Sequence, residues 1–303
     1  MKVDISKIGT EQQNVNTMNI DRLDTLSMVQ LINREDQAVI DAVSEASEQI
    51  ANAVDAIYET IHNGGRLVYI GAGTSGRLGV LDASEVLPTY GVGEEAVIGL
   101  IAGGDRALRH PVENAEDSTT MIVDDLKNIN FNEKDILCAI ASSGRTPYCI
   151  GGIHYAKSLG AQTVSIACVA DSEVGKLVDY PIEAVVGQEV VTGSTRMKSG
   201  SATKMILNIL STTTMIKMGK VYGNLMVDVR TSNEKLIERA KTIIIRATGV
   251  AYDVAEDVLE KSNNHVKTAI VMIKTDSNYE EAKTLLANND DRIADAVDAY
   301  ENQ

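Results

Sequence analysis

Apolar residues recur along this chain with two alternating rhythms. Across residues 36–62 they fall every three or four positions, at Val39, Val43, Ala46, Ile50, Val54, Ile57 and Ile61. That is the spacing of one face of a helix, and Asn63-Gly64-Gly65 stops it. A short unbroken run follows, Leu67-Val68-Tyr69-Ile70, which reads as a buried strand. A loop of small residues comes next, Gly71-Ala72-Gly73-Thr74-Ser75-Gly76, and residues 77–85 can run as a helix that Glu85 closes.

The alternation continues. Residues 96–102, 135–141 and 162–167 are further apolar runs, and 180–186 is a shorter one. Between them, 113–127 and the stretch from Pro147 to about 160 have helical character, with Pro147 suited to a first helical turn. A long helix is expected from about 199 or 201, carrying Met205, Ile206, Ile209, Leu210, Thr213 and Ile216. Strands that alternate with helices, without close hairpin signals, predict an α/β fold: a doubly wound, mostly parallel sheet between helical layers. Beyond about 231 the strand signal stops. Residues 234–248 read as a helix ended by Gly249. Four short helices follow, broken near Asn263-Asn264, Asp276-Ser277 and Asn288-Asn289. The expected organisation is an N-terminal extension with a short helix capped by Asp24 or Thr25 (1–35), a main α/β domain (36–230) and a small C-terminal helical appendage (231–303).

Composition narrows the function. The chain has 303 residues, 44% hydrophobic and 23% charged, with a net charge of −15. An acidic balance of that size opposes binding to a nucleic-acid backbone, which needs a basic face. It leaves room for a local anion pocket of a few donors. No apolar run reaches membrane-spanning length, and the N-terminus has no secretory h-region; the expectation is a cytoplasmic protein. Cys138, Cys149 and Cys168 have no metal spacing, and Cys138 and Cys168 sit in apolar strand-like runs, as buried thiols do. His62, His110, His154 and His265 form no metal-spaced pair either, so no metal site is expected.

Candidate chemistry lies in two turns. The first, Gly71 to Gly76, overlaps the dinucleotide pattern G-x-G-x-x-G. A dinucleotide site would want an acidic residue about 20 residues later, at the second strand. Asp82 and Glu85 come too early, and Glu94 and Glu95 precede that strand. The second turn, Ser142-Ser143-Gly144-Arg145-Thr146, also follows a strand. Two such turns at neighbouring strand ends would converge on one anion, and hydroxyls with backbone N–H groups suit a phosphate monoester; the other reading of each turn is tight packing at a strand end.

Strand-GAGTSGR-helix followed by strand-ASSGRTP-helix resembles the sugar isomerase (SIS) phosphosugar-binding domain. The longer strings GAGTSGRLGVLDASE, GLIAGG, ENAED, SSGRTPY, GSTRMKSG and KVYGNLMVD, with the N-terminal TEQQNVNTMNID, resemble one family within it, the N-acetylmuramic acid 6-phosphate etherases. The same stretches are similar to the glucokinase regulatory protein. The family resemblance covers essentially the whole chain. It implies removal of D-lactate from N-acetylmuramic acid 6-phosphate by elimination and addition of water on the open-chain sugar, without metal or organic cofactor. It also implies acid/base roles for Glu85 (in DASE) and Glu116 (in ENAED), with Glu113 competing for the second role.

Substrate and phosphate contacts are implied for Thr74, Ser75, Ser142, Ser143, Gly144 and Thr146, and for Glu189, Ser194, Thr195 and Lys198 in a third polar loop. Ala141 stands where the wider SIS pattern often has a serine. Arg77, Arg145 and Arg196 are candidate partners of the lactate or the phosphate, with helix packing or surface exposure as the other reading of each. The partner class is a phosphorylated amino sugar, and the resemblance implies a homodimer. Two competing readings are a phosphosugar-sensing regulator and an aldose–ketose isomerase. Neither needs a proton donor placed for a carbon-3 ether.

Overall fold

The computed structural model describes residues 9–229, 231 and 233–302. The chain forms two compact units. One takes the chain up to Ser84 and then Glu94–Ser211; the other takes Glu85–Gly93 and everything from Thr212 onward.

The first unit opens with three short helical turns over residues 9–22 and then helix α1 (Thr25–Glu35), whose first turn is capped by the Asp24 carboxylate accepting from Ser27 N. The helix expected over 36–62 is two helices, α2 (Gln37–Glu45) and α3 (Ser47–His62), broken where Ala46 turns to ψ 4°. No glycine or proline marks that break. Strand β1 (Leu67–Gly71) follows, then helix α4 (Gly73–Tyr90), β2 (Val97–Ile101) and a short helix α5 (Asp105–Arg109) that the apolar pattern did not signal.

Two expected boundaries are corrected. Helix α4 starts four residues earlier than expected, with Thr74 and Ser75 in its first turn. It runs through Pro88 to Tyr90, so Glu85 lies inside it rather than closing it. The helix expected from 113 is only α6 (Met121–Asn128). Residues 113–117 form turns, with Asn114 in the left-handed region at φ 61°, and the Ser118 hydroxyl accepts from Met121 N.

The rest of the unit is β3 (Ile136–Ile140), α7 (Pro147–Ser158), β4 (Gln162–Ala167), β5 (Tyr180–Glu183) and the start of α8 (Lys198–Lys217). The five strands form one fully parallel sheet in the order β2-β1-β3-β4-β5. Every residue of β1 and β3 is buried, as expected of strands covered on both faces. Side chains alternate: Val68 and Ile70 pack with Ile122, Leu126, Cys149 and Ile153 from α6 and α7, while the Tyr69 hydroxyl reaches α4 on the opposite face. Each fully buried aliphatic side chain of this kind contributes roughly 1.5–3 kcal/mol.

The second unit is helical apart from a hairpin, β6 (Val221–Tyr222) and β7 (Leu225–Met226), turned by Gly223 at φ 58°. The Gly-Asn pair there is a hairpin signal that the apolar pattern obscured. Helix α9 (Glu234–Thr248) is capped by the Asn233 side chain and ends at Gly249, φ 78°. Then α10 (Tyr252–Lys261), α11 (Val266–Thr275), α12 (Tyr279–Ala287) and α13 (Ile293–Glu301) match the four short helices expected. They share a core of Ile244, Leu259, Ile270, Leu286 and Ile293. Among the described residues no helix is long and apolar enough to cross a membrane.

Candidate active site

The order 2-1-3-4-5 reverses direction between β1 and β3, and open parallel sheets bind ligands in the crevice at such a switch point, beyond the carboxyl ends of the strands. Both hydroxyl-rich turns stand there. They touch: Ser75 Oγ and Ser142 Oγ are 3.2 Å apart, and both serines are buried.

Glycines make the first turn possible. A Cβ on Gly76 would lie 2.6 Å from Gly71 O, and one on Gly99 would lie 2.6 Å from Val80 Cα. Helix α4 therefore seats against β1 and β2 at backbone distance and brings its N-terminal N–H groups to the crevice. In the second turn Gly144 has φ 75°, its N–H donates to Ala141 O at 2.7 Å, and a Cβ would sit 2.5 Å from Ser172 Cβ. Thr146, half-buried, precedes α7 without using its side chain as a cap. Ser143 and Gly144 line a cavity of about 550 Å³ whose far wall is the segment after β4, Cys168 to Glu173. Burial pushes the Cys168 thiol up to about 11, which keeps it protonated.

Glu116 stands beside the start of α7, which the second turn leads into. Its backbone carbonyl accepts from Tyr148 N at 3.0 Å, in the first turn of α7. Its exposed side chain lines a smaller cavity, about 220 Å³, together with Ala72 and Gly73 of the first turn, Arg77 and Glu113. The structure thus brings Glu116 beside both turns, and Glu113 with it. Arg77 is already engaged: its guanidinium donates to Leu108 O at 2.9 Å and Ala107 O at 2.6 Å, capping the last turn of α5. Glu85 is exposed, ten positions beyond Ser75 on α4, or about 15 Å along a helix axis; it is the first residue of the α4 segment that belongs to the second unit.

The third loop is held by the protein itself. Glu189 is fully buried at the N-terminus of α8, where its carboxylate accepts from Lys198 N and Ser199 N, both at 2.9 Å, and from Ser199 Oγ at 2.8 Å. A carboxylate there already serves the orphan N–H groups of that helix. The Lys198 ammonium, also buried, lies 3.7 Å from Glu35 Oε2. Ser194 and Thr195 are half-buried in the turn before α8. A Cβ on Gly200 would meet both Thr195 O and Thr74 Cγ2 at 3.5 Å, so this loop and the first turn converge.

Two features were not read from the sequence. The N-terminal segment is stitched to the third loop: Thr17 Oγ1 donates to Val190 O, Gly193 N donates to Thr10 O, and the Asn14 and Asn16 amides donate to Glu35. Burial opposes ionisation of Glu35, but those amides and Lys198 prevail and hold it below the usual carboxylate range. The other is Asp82, buried inside α4 and clamped by Tyr69 Oη at 3.0 Å and Ser211 Oγ at 3.1 Å. It shares the inward face with Gly79 and Val86, a spacing visible in the sequence. Among the described residues no cluster of three His, Cys, Asp or Glu is placed to hold a metal ion.

Known proteins resemble this chain at several levels. Residues 49–157 match the model of the glucokinase regulatory protein N-terminal SIS domain. A phosphoheptose isomerase from Francisella tularensis aligns at 18% identity and a TM-score of 0.48, over 64% of this chain and 100% of that one. Proteins named N-acetylmuramic acid 6-phosphate etherase are far nearer. One from Lactobacillus gasseri is 53% identical over 97% of this chain and 99% of its own, and one from Clostridium botulinum (strain Hall) is 52% identical over 97% and 98%. One from Actinobacillus pleuropneumoniae serotype 5b is 54% identical over 97% and 96%. Identity of that level along nearly the full length, on a parallel sheet with the two hydroxyl-rich turns joined at its switch point, means that this chain belongs to the N-acetylmuramic acid 6-phosphate etherase family of enzymes.

Proposed function

We propose that the protein cleaves the D-lactyl ether of N-acetylmuramic acid 6-phosphate, giving N-acetylglucosamine 6-phosphate and D-lactate. The observation that carries this reading is the junction of the two turns through Ser75 and Ser142 with Glu116 tied beside it. It offers hydroxyl and N–H donors for a phosphate next to a carboxylate able to move a proton.

The substrate reacts as the open-chain aldehyde. Thr74, Ser75, Ser143 and Thr146, with the N-termini of α4 and α7, hold the phosphate. Glu189, Ser194, Thr195 and Lys198 act as the supporting wall, since the Glu189 carboxylate and the Lys198 ammonium already have protein partners. Glu116 removes the proton on carbon 2, which the aldehyde acidifies. Glu85 donates a proton to the ether oxygen as its bond to carbon 3 breaks, and lactate leaves. Glu85, now ionised, takes a proton from water as the water adds to carbon 3, and Glu116 returns its proton to carbon 2. One water is consumed and both carboxyl groups end as they began, which is the economy of a paired general acid and base.

The test is release of D-lactate from N-acetylmuramic acid 6-phosphate. Glu85→Ala should cut release by about 10²–10⁴-fold while still exchanging the carbon-2 proton with solvent deuterium, read by NMR. Glu116→Ala should lose both. Full activity in Glu85→Ala removes it from the acid role, and exchange retained in Glu116→Ala points to Glu113 or another base.

A further inference from the structure

We propose that Arg145 reads the lactyl carboxylate and so makes the site selective for the ether over its own product. The assignment rests on the etherase reading and adds to it a residue for the second anionic group.

N-acetylmuramic acid 6-phosphate carries two anions, the phosphate and the carboxylate of the lactyl arm; N-acetylglucosamine 6-phosphate carries only the phosphate. The turns supply neutral donors for the phosphate. The carboxylate needs a cation, and the structure sorts the cations by whether they are already engaged. Arg77 is spent on two carbonyls of α5. Lys198 is buried against Glu35. Arg196 is exposed on the third loop. Arg145 is half-buried, lines the cavity of about 550 Å³ beside Ser143 and Gly144, and among the described residues donates to nothing.

The base of Arg145 is rigid. Its neighbour Gly144 is held on both sides, its N–H donating to Ala141 O at 2.7 Å and its carbonyl accepting from Val174 N at 2.9 Å. A guanidinium on such a support presents two parallel N–H groups, the geometry that pairs with a planar carboxylate. Asp171 and Glu173 also line this cavity, but both are exposed, where solvent and salt screen their repulsion of an incoming carboxylate. Lys176, the other cation of the cavity, is exposed too, and a lysine there lacks the fork.

The experiment compares two ligands that differ by the lactyl arm. For the unsubstituted protein, Arg145→Ala and Arg145→Lys, kcat/KM is measured on N-acetylmuramic acid 6-phosphate, and the dissociation constant of N-acetylglucosamine 6-phosphate is measured by calorimetry. Arg145→Ala should lose about 10- to 100-fold in kcat/KM on the ether and change the product's affinity by less than about threefold. Arg145→Lys should lose less than Arg145→Ala on the ether, since it keeps the charge without the fork. Equal losses on both ligands would place Arg145 on the phosphate and overturn the assignment; no loss on either would take it out of the site. Lactate release by the unsubstituted protein tests the etherase reading by itself, and its absence overturns that reading and this assignment together.

Discussion

Asp82 is the residue whose environment has the clearest consequence. Burial raises its pKa to about 6, against hydrogen bonds from Tyr69 and Ser211 that favour the ionised form. An aspartate in an unfolded chain titrates near 3.8, so between about pH 4 and pH 6 the folded protein binds the extra proton. This group's contribution to stability is therefore fully present below about pH 4 and is lost as pH rises through 6. The loss is on the order of 3 kcal/mol at most. Asp82→Asn keeps the shape and removes the charge. Its melting temperature relative to the unsubstituted protein should rise from pH 4 to pH 7, followed by calorimetry; a difference that stays flat across that range would mean Asp82 is not the titrating group. Glu189 teaches a related lesson. The resemblance marked it for a substrate contact, and its carboxylate accepts three hydrogen bonds from Lys198 and Ser199 at the N-terminus of α8.

At the scale of elements, the strands were legible because a strand covered on both faces must be apolar throughout. Expectations at 96–102, 135–141 and 162–167 lie within a residue of β2, β3 and β4. Helix ends were less legible, because several are set by groups distant in sequence or by backbone turns. Examples are the Glu189 carboxylate at Lys198 and Ser199, and the left-handed Asn114 before α6. The seating of α4 on the sheet makes its own prediction. A Cβ at position 76 would stand 2.6 Å from Gly71 O and 2.7 Å from Ile101 Cγ1, and neither the strand end nor the buried isoleucine can give way freely. Gly76→Ala should cost about 1–3 kcal/mol and weaken binding of N-acetylglucosamine 6-phosphate, checked by thermal denaturation and calorimetric titration. Unchanged melting and affinity would mean that α4 does not sit this close to β1.

At the scale of the whole molecule, the switch point of the parallel sheet is the crevice where such folds bind ligands, and the charge of −15 opposes binding to a nucleic-acid backbone. Large apolar side chains stay exposed on the N-terminal helices: Leu26 at 65% and Val29 at 58% on α1, and Ile40 at 55% on α2. Exposed apolar groups of this density are a reason for self-association. The family resemblance implies a homodimer, and these side chains make the N-terminal helices a candidate face for it. Light scattering should give twice the 32.6 kDa of one chain. Leu26→Lys with Val29→Lys should shift the mass toward one chain; a monomer in the unsubstituted protein would end the dimer reading.

By itself the sequence determined the fold class, the two hydroxyl-rich turns, the four-helix tail and the family, because apolar periodicity, glycine and hydroxyl residues act through local geometry and travel with short motifs. Tertiary structure alone decided which of the marked residues stand together. It set Ser75 against Ser142 and Glu116 beside α7. It closed Glu189 and Lys198 inside the protein, and it left Arg145 unengaged in a cavity. Those outcomes depend on strand order and on partners tens of residues away, and a hydrogen bond between distant segments leaves no periodic trace in the chain that forms it.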